Sequence, residues 1–270
     1  MRTGPFLFLS PIMQLKTNIN FHCGDDPHDF ISYTLKEGID NAARHRFDVL
    51  AVTCHNKVVW SRADSDYAAQ KGLLLLPGIE LNIREDAEAR GAGKHIIILN
   101  CDADAEAIRT FDDLGSYRKE RPNIFVLAPH PYFYGNFSLK RLLNTHIDLF
   151  DGIEHSWFYS RRFNRNLRAA ETARAHGLPL IATSDTHYWR HFNDDYAIVD
   201  ARAKTPEDVI AALRRGAVEN ISRPKRALTD MLIRRGAFTI KNVLSRSAIR
   251  WRVRMSYAPN SLTSASRKIQ

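Results

Sequence analysis

The chain has 270 residues, of which 44% are hydrophobic and 26% are charged, and its formal net charge at pH 7 is +9. This length and composition exclude an intrinsically disordered chain and permit one barrel-sized domain or two small ones. No apolar run approaches the roughly 20 residues that span a bilayer, which excludes a transmembrane segment.

The N-terminal stretch 1–12 contains the apolar run Pro5–Leu9, without the long apolar region and cleavage site of a signal peptide. We interpret it as a leader, and Met13, directly before the first predicted strand, as an alternative start. The cysteines are three in number and widely spaced, which argues against a disulfide framework and predicts a reducing, cytoplasmic location.

Seven short apolar runs, bounded by polar or turn residues, are typical of buried strands in a parallel sheet. In chain order they are Lys16–Phe21, Phe47–Thr53, Leu73–Ile79, His95–Asn100, Ile124–Ala128, Gly152–Glu154 and Pro179–Thr183. The segment Tyr196–Asp200 is predicted as an additional edge strand.

Helical spacing of apolar residues alternates with these strands. The predicted helices are Asp29–Arg46, Ser61–Lys71, Asp104–Glu120, Ser138–Phe150, Arg161–His176 and Thr205–Arg215. Asp26 or Asp29 is predicted to cap the first of them, and Gly72, Gly177 and Gly216 are predicted to end three others. This alternation predicts an irregular seven-stranded α/β barrel. A doubly wound open sheet is the alternative, weakened because no Gly-x-Gly-x-x-Gly follows the first strand.

The charge is unevenly distributed along the chain. Residues 201–270 hold 16 Lys and Arg against 4 Asp and Glu, whereas residues 1–200 hold 23 against 26. We therefore predict a barrel over 13–222 and a basic, partly helical C-terminal tail over 223–270. Such a tail can contact nucleic acid, anionic lipid or another acidic surface, or it can be a solvated helix with a loose end.

Residues with metal-ligating side chains stand at the ends of five of the apolar runs. They are His22, His55, Glu80, His130, Asp185 and His187, each one to four residues past the apolar core of a run. Chemistry in barrel enzymes collects at the carboxyl ends of the strands. The set therefore indicates a ring of ligands that faces one mouth of the barrel.

In order and spacing, these segments resemble the PHP (polymerase and histidinol phosphatase) domain family, over roughly residues 14–222. The matching segments are Asn18-Ile19-Asn20-Phe21-His22, Thr53-Cys54-His55, Pro77-Gly78-Ile79-Glu80, Ala128-Pro129-His130-Pro131 and Ser184-Asp185-Thr186-His187. The resemblance implies an irregular seven-stranded barrel that holds two or three divalent metal ions.

Three positions depart from the family pattern. Asn18 stands where the family has Asp, Asn20 where it has its first ligand His, and Cys54 where it has Asp. Asn is a weaker donor than imidazole for zinc or manganese, so a metal site that contains Asn20 would have one strong ligand fewer. Asp25 or Asp26 is expected to face the metals instead, and Cys54 is either a thiolate ligand or a buried filler.

The resemblance implies a grouping of the ligands and a reaction. A first site would use His22, Glu80 and Asp185. A second would use Glu80, His95 and His130, and a third His55 and His187 with Asp25 or Asp26. Glu80, Asp185 and His187 are the predicted catalytic residues. The ions would be zinc, manganese or iron, and they would activate water for hydrolysis of a phosphate ester.

The expected substrate is a phosphorylated small molecule. Arg161 and Arg162 are candidates for binding its phosphate, because guanidinium matches phosphate geometry, and His155 is a candidate for lining the mouth. A solvated helix start explains the two arginines equally well. Two other functions stay open: a degenerate barrel that binds a ligand or partner, and a nuclease whose basic tail holds nucleic acid.

Overall fold

The computed structural model describes residues 11–86, 88, 93–133 and 135–224, together with positions 236, 240, 243 and 244. In these residues nine strands alternate with six α-helices and three short 3₁₀ turns. The strands are β1 (Met13–Phe21), β2 (Val49–Val52), β3 (Leu74–Ile83), β4 (Lys94–Leu99), β5 (Phe125–Ala128), β6 (Gly152–Ser156), β7 (Leu180–Thr183), β8 (Tyr196–Ala201) and β9 (Val218–Ile221). The α-helices are α1 (Leu35–Arg44), α2 (Arg62–Gln70), α3 (Phe111–Glu120), α4 (Arg141–Thr145), α5 (Asn166–Ala175) and α6 (Pro206–Arg214).

The strands form one nearly closed, barrel-like sheet. Its order is β7-β6-β5-β4-β3-β2-β1-β8-β9. The two edges meet, because the side-chain amide of Asn220 in β9 hydrogen-bonds the main chain of Leu180 and Ala182 in β7. A parallel bridge between Phe21 and Thr186 also joins the end of β1 to the segment after β7. This closure rules out the doubly wound open sheet.

The predicted count of seven strands and the predicted parallel sheet are both corrected by the structure. The sheet has nine strands, and β3–β4, β4–β5, β1–β8 and β8–β9 are antiparallel pairs. A parallel pair requires a crossover of about a dozen residues or more, usually a helix, and only residues 84–93 connect β3 to β4. β9 was not predicted, because its four residues include the polar pair Glu219-Asn220.

Both faces of the sheet are buried. Along β4, Ile96 and Ile98 pack with α3 and α5 in one apolar cluster, whereas Ile97 and Leu99 belong to a second cluster with α6. A third cluster joins β1 and β2 to α1 and α2. Burial on both faces explains why these strands appear in the sequence as continuous apolar runs instead of alternating ones.

The first helix begins later than predicted. It starts at Leu35, and its N-cap is Thr34, which forms a capping box with Glu37. Asp26 and Asp29, predicted as caps, instead lie in the loop between β1 and α1 and contact histidines. Gly72, Gly177 and Gly216 have positive φ angles directly after α2, α5 and α6, as predicted for left-handed helix ends.

By its internal contacts the chain divides into two compact units, Met1–Leu228 and Thr229–Gln270. The predicted leader, except for residues 11 and 12, and most of the predicted tail over 223–270 lie outside the described residues. Positions 236, 240, 243 and 244 are helical. Within the part of the chain that the structure describes, no helix is long and apolar enough to cross a membrane.

Candidate metal centre

The predicted ligands converge at one end of the sheet. His22 follows β1, His55 follows β2, Glu80 lies inside β3 and His130 follows β5. His95 stands at the start of β4. Because β4 runs antiparallel to β3, with His95 opposite Asn82, this start lies beside the residues that end β3. Asp185 and His187 come from the segment after β7.

Glu80 lies at the centre of the cluster, and its carboxylate is almost fully buried. Its Oε1 atom is 2.5 Å from His95 Nδ1 and 3.4 Å from His130 Nε2. Its Oε2 atom is 3.1 Å from His22 Nε2 and 3.8 Å from His55 Nε2. Each carboxylate oxygen therefore faces a different pair of imidazoles, as a carboxylate shared between two metal ions would.

Three sets of donor atoms lie close enough to hold a metal ion, with the atoms of each set within 4.8 Å of one another. The sets are His22, Glu80 and Asp185; His55, Glu80 and His95; and His22, His55 and His187. The first reproduces the predicted first site. The second contains His55 where His130 was expected, although His130 also contacts Glu80. The third joins His55 and His187, as expected, but adds His22 instead of an Asp.

The buried hydrogen bonding of this cluster is incomplete, as a metal site requires. Glu80 Oε1 and His95 Nδ1 are buried and lie 2.5 Å apart without the geometry of a hydrogen bond, and the buried His130 Nδ1 has no hydrogen-bond partner within the described residues. Such atoms are rare in folded proteins, because leaving them unpaired costs about 1–3 kcal/mol each. Imidazole and carboxylate donors are the usual ligands of divalent zinc, manganese and iron. The residues therefore fit a centre for divalent metal ions.

Two acidic side chains hold the histidines in place from behind. Asp26 Oδ2 is 2.8 Å from His22 Nδ1 and 2.9 Å from His55 Nδ1, and Asp26 Oδ1 accepts two main-chain N–H groups. Asp29 Oδ2 is 3.1 Å from His187 Nε2. With both oxygens engaged, Asp26 is placed to orient imidazoles, and it belongs to none of the three donor sets.

Asp25 is not brought into the cluster. Its side chain is 55% exposed, and its nearest cation is Lys57 at 4.0 Å. Of the two acids that the sequence offered as alternatives, only Asp26 faces the histidines.

The structure also leaves the predicted substrate-binding residues outside the donor sets. Arg161 and Arg162 are exposed in the loop between β6 and α5, which begins only at Asn166. His155 is half-buried in β6 and lies beside the Asn166 amide, with Nε2 to Nδ2 at 3.4 Å. It also contacts the edge of the Tyr159 ring.

Proximity of opposite charges shifts the pKa values of the cluster. Burial raises the pKa of Glu80, but the surrounding imidazoles outweigh it and hold this pKa well below its usual range. Burial lowers the pKa of His22 and of His130, but their carboxylate neighbours raise the first well above its usual value and the second to about 9. For His95 the burial effect prevails, and its pKa is lowered.

The backbone is strained at two of the ligands. His130 has φ of 30° and Asp185 has φ of 45°, in the left-handed region that non-glycine residues rarely adopt. Such conformations cost about 1–3 kcal/mol and cluster at functional sites. Each of the two residues lies two positions past the last residue of its strand, at the end of the sheet where the cluster forms.

Sequence reasoning did not select two acidic residues of the site. Asp29 was a candidate helix cap and one of three carboxylates close to the first ligands, but Asp25 or Asp26 was preferred. Glu154 was taken only as the end of a strand, although the strand-end rule that selected the other ligands applied to it as well. Its buried carboxylate accepts hydrogen bonds from Thr183 Oγ1 and from the main-chain N–H of His130. Burial and the nearby Asp185 raise the pKa of Glu154 to about 7 against the opposing charge of His130.

The thiol of Cys54 packs against another thiol. Its Sγ atom is 3.6 Å from that of Cys23, both residues are fully buried, and neither belongs to a donor set. Contact with Cys23 and burial raise the pKa of Cys54 far above its usual value. This environment agrees with the filler alternative for Cys54.

Comparison with curated proteins gives no match. Solved structures with a similar fold include a two-domain protein from Bacteroides vulgatus that contains a predicted PHP-like metal-dependent phosphoesterase. It has a TM-score of 0.58 and 17% identity, with 80% of this chain and 66% of that chain covered. PsfC from Pseudomonas syringae has a TM-score of 0.57 and 11% identity, with 87% and 99% covered. The lesion-specific endonuclease PfuEndoQ from Pyrococcus furiosus has a TM-score of 0.54 and 12% identity, with 77% and 58% covered.

At these identities the similarity to solved structures shows a shared fold. The sequence itself matches the family model described as PHP-associated over residues 163–218, which run from the loop before α5 to the start of β9. The family-model match and the fold shared with a PHP-like protein both agree with the resemblance to the PHP domain family.

Proposed function

We propose that the protein is a metal-dependent phosphoesterase that hydrolyses a phosphate ester at a centre of two or three divalent metal ions. The observation that carries this proposal is the buried Glu80 carboxylate, whose two oxygens face different pairs of imidazoles. A carboxylate with this surrounding is suited to bridge two cations. The resemblance to the PHP domain family supports hydrolysis as the general reaction.

The residues divide into three groups of proposed ligands. His22 and Asp185 would hold one ion with Glu80, and His95 and His130 would hold a second with the same carboxylate. His55 and His187 would contribute to a third. Bound divalent ions supply Lewis acidity, which activates water and neutralises the charge of a phosphate group.

Other side chains position these ligands. By accepting the Nδ1 protons of His22 and His55, Asp26 turns the Nε2 atoms of both rings toward Glu80. His187 is held from both sides: Nε2 is 3.1 Å from Asp29 Oδ2, and Nδ1 is 3.0 Å from the main-chain oxygen of Asp185 and 3.3 Å from its Oδ1. Such hydrogen bonds fix the tautomer of a ligand histidine and raise its basicity.

Asp185 and His187 lie nearest to solvent among the proposed catalytic residues. Asp185 is half-buried, and its Oδ2 atom accepts a hydrogen bond from Trp157 Nε1 at 3.4 Å. An incoming phosphate group would therefore meet these two residues first. The proposed substrate is a phosphorylated small molecule. Arg161, Arg162 and His155 stay candidates for binding it, because His155 lies near the end of β6 and the two arginines follow that strand.

The experiment pairs metal analysis with hydrolysis. Protein purified without chelator is analysed by elemental mass spectrometry, and turnover of 4-nitrophenyl phosphate is followed for wild type, Glu80→Gln and Asp25→Asn. We expect two or three equivalents of zinc, manganese or iron. We also expect a loss in kcat/KM of at least about 100-fold for Glu80→Gln and less than twofold for Asp25→Asn, because Asp25 lies outside the cluster.

The outcome also separates the alternatives. Protein that retains no metal after reconstitution and turns over no ester would contradict the proposal. Such a result would favour the degenerate binding barrel, for which Asn18, Asn20 and Cys54 are the motivating residues.

A nuclease is the second candidate, favoured by the charge of the tail. Residues 223–270 hold 12 Lys and Arg against one Asp, and this excess of positive charge is suited to contact a phosphate backbone. This version shares the metal centre with the first and differs only in the substrate. Hydrolysis of a labelled oligonucleotide by the same preparation distinguishes the two.

A further inference from the structure

We propose that the side-chain oxygen of Asn20 is a metal ligand, and that it lowers the preference of the site of His22, Glu80 and Asp185 for zinc over manganese. This inference rests on the proposed metal-dependent function and concerns the first of its three sites. In this view Asn20 binds the ion itself and does not merely leave the site without a histidine ligand.

The distances around His22 support four ligand atoms. His22 Nε2 is 3.2 Å from Asn20 Oδ1, 3.1 Å from Glu80 Oε2 and 3.6 Å from Asp185 Oδ1. Neighbouring ligand atoms bound to one metal ion, with bonds of about 2.1 Å, are separated by roughly 3.0–3.5 Å. The amide oxygen of Asn20 is therefore as close to the imidazole donor as the carboxylate ligands are.

The orientation of the amide is fixed by its neighbours. Thr53 Oγ1 donates to Asn20 Oδ1 at 3.0 Å, and Asn20 Nδ2 lies 3.5 Å from the Glu154 carboxylate, to which it donates. All three residues are fully buried. A flipped amide would place its oxygen against Glu154 and its NH₂ group against the Nε2 atom of His22. The network therefore keeps the oxygen directed at the other ligands: it accepts from Thr53 Oγ1 and faces His22 Nε2.

The resulting donor set has three oxygens and one imidazole nitrogen. Carboxylate and carbonyl oxygens suit manganese and magnesium, whereas imidazole suits zinc. Replacing a family histidine by Asn20 therefore shifts the relative preference toward manganese. Zinc still binds more tightly in absolute terms, because the intrinsic order of affinities places it above manganese, so the ratio of the two affinities is the informative quantity.

Asn18 provides a matched control two residues earlier on the same strand. It is an equally buried asparagine, but its Nδ2 atom donates to Ser184 Oγ at 2.7 Å. Its Oδ1 atom accepts the main-chain N–H of Asn20 at 3.3 Å. Removal of the Asn18 amide therefore breaks buried hydrogen bonds close to Asn20 without removing a proposed ligand.

The test measures binding of manganese and of zinc to the full-length apoprotein by competition with a chromophoric chelator. The variants are Asn20→His, Asn20→Ala, Asn20→Asp and Asn18→Ala. We expect Asn20→His to shift the affinity ratio toward zinc by at least about tenfold. Asn20→Ala should weaken one equivalent of each metal by about tenfold or more, and Asn18→Ala should leave the ratio unchanged. Asn20→Asp retains the size and the oxygen of the side chain and should retain manganese binding.

Circular dichroism of each variant verifies folding, and Asn20→Asp provides an answer where the larger histidine disturbs the fold. Wild-type affinities in Asn20→Ala, or an unchanged ratio in a folded Asn20→His, would overturn the assignment of Asn20. Wild-type protein that binds neither metal would instead overturn the metal-dependent function itself.

Discussion

Single residues behind the ligands determine what the ligands can do. Each imidazole has two nitrogens, and only an unprotonated one can bind a metal ion. Asp26 accepts from Nδ1 of both His22 and His55, so the Nε2 atoms of both rings are left to face Glu80. One carboxylate thereby sets the tautomers of two ligands from different strands.

Asp26→Ala should therefore weaken metal binding without removing a ligand. We expect a loss of about 10–100-fold in affinity for zinc and for manganese, because both rings would lose the hydrogen bond that directs Nε2 inward. Chelator competition measures the loss. Asp25→Ala is the control, because the Asp25 carboxylate is next to Asp26 in the sequence but is exposed and lies near Lys57 instead of the histidines. Equal affinities for the two variants would contradict an orienting role for Asp26.

Metal binding should release protons. The pKa of His22 is raised well above its usual value and that of His130 to about 9, so we expect both imidazoles to carry a proton near neutral pH before a metal ion binds. An ion must displace these protons, so its affinity should fall as the pH is lowered from about 9 toward 6. Calorimetry at pH 7 in buffers of different ionisation enthalpy measures the number released. We expect more than one proton per protein molecule, and zero would contradict the protonated state.

At the scale of elements, Gly78 in β3 allows the close packing that places Glu80. A Cβ atom at this position would lie 2.9 Å from the carbonyl oxygen of Val52 in β2 and 3.3 Å from that of Ile98 in β4. These are backbone atoms of the two neighbouring strands and cannot rotate away. The Pro-Gly segment is therefore required for the spacing of three strands, each of which contains or leads to a proposed ligand.

Gly78→Ala should destabilise the fold and disturb the site together. We expect the free energy of unfolding to fall by about 1–3 kcal/mol, because the strands must separate to admit the methyl group. Gly115→Ala is the control. Gly115 lies inside α3 with its nearest neighbour 3.7 Å from the added carbon, so alanine should stabilise the helix by about 0.5–1 kcal/mol. Urea denaturation of the two variants gives both values, and equal stabilities would contradict the packing argument.

The elements also show what local sequence can and cannot predict. Continuous apolar runs identified β1 to β7, because strands buried on both faces have no polar side. The antiparallel direction of β4 and the position of β9 depend on partners far along the chain, such as the pairing of Val218 with Val199. In the site, strand-end histidines were visible as a pattern. Asp29 and Glu154 were not identified, because their local context also satisfies the patterns of a helix cap and of a buried strand.

At the scale of the whole molecule, charge separates the ends of the chain. Residues 1–200 carry three more acidic than basic residues, whereas residues 201–270 carry twelve more basic than acidic ones. The metal centre is built entirely from residues before 188. A polyanionic substrate would therefore find its reactive site and its main source of positive charge in different parts of the sequence. The nuclease hypothesis depends on this separation.

That hypothesis makes a quantitative prediction about salt. Each cation that contacts a single-stranded phosphate backbone contributes about 0.7 to the slope of log affinity against log salt concentration. Neutralising three tail residues, Arg234→Gln, Arg235→Gln and Arg246→Gln, should therefore lower the slope by about 2 if all three contact the strand. Fluorescence anisotropy with a labelled oligonucleotide, at several salt concentrations, measures this change.

The matched control neutralises Arg62, Lys119 and Arg174, which are exposed on three helices of the barrel unit. It removes the same net charge, so a smaller change in slope than for the tail variant would assign the contacts to the tail. Turnover of 4-nitrophenyl phosphate should be unchanged in both variants, because none of the six residues belongs to the proposed metal centre. Identical binding curves for the tail variant and wild type would contradict the nuclease version and leave the small-molecule phosphoesterase as the function that the site supports.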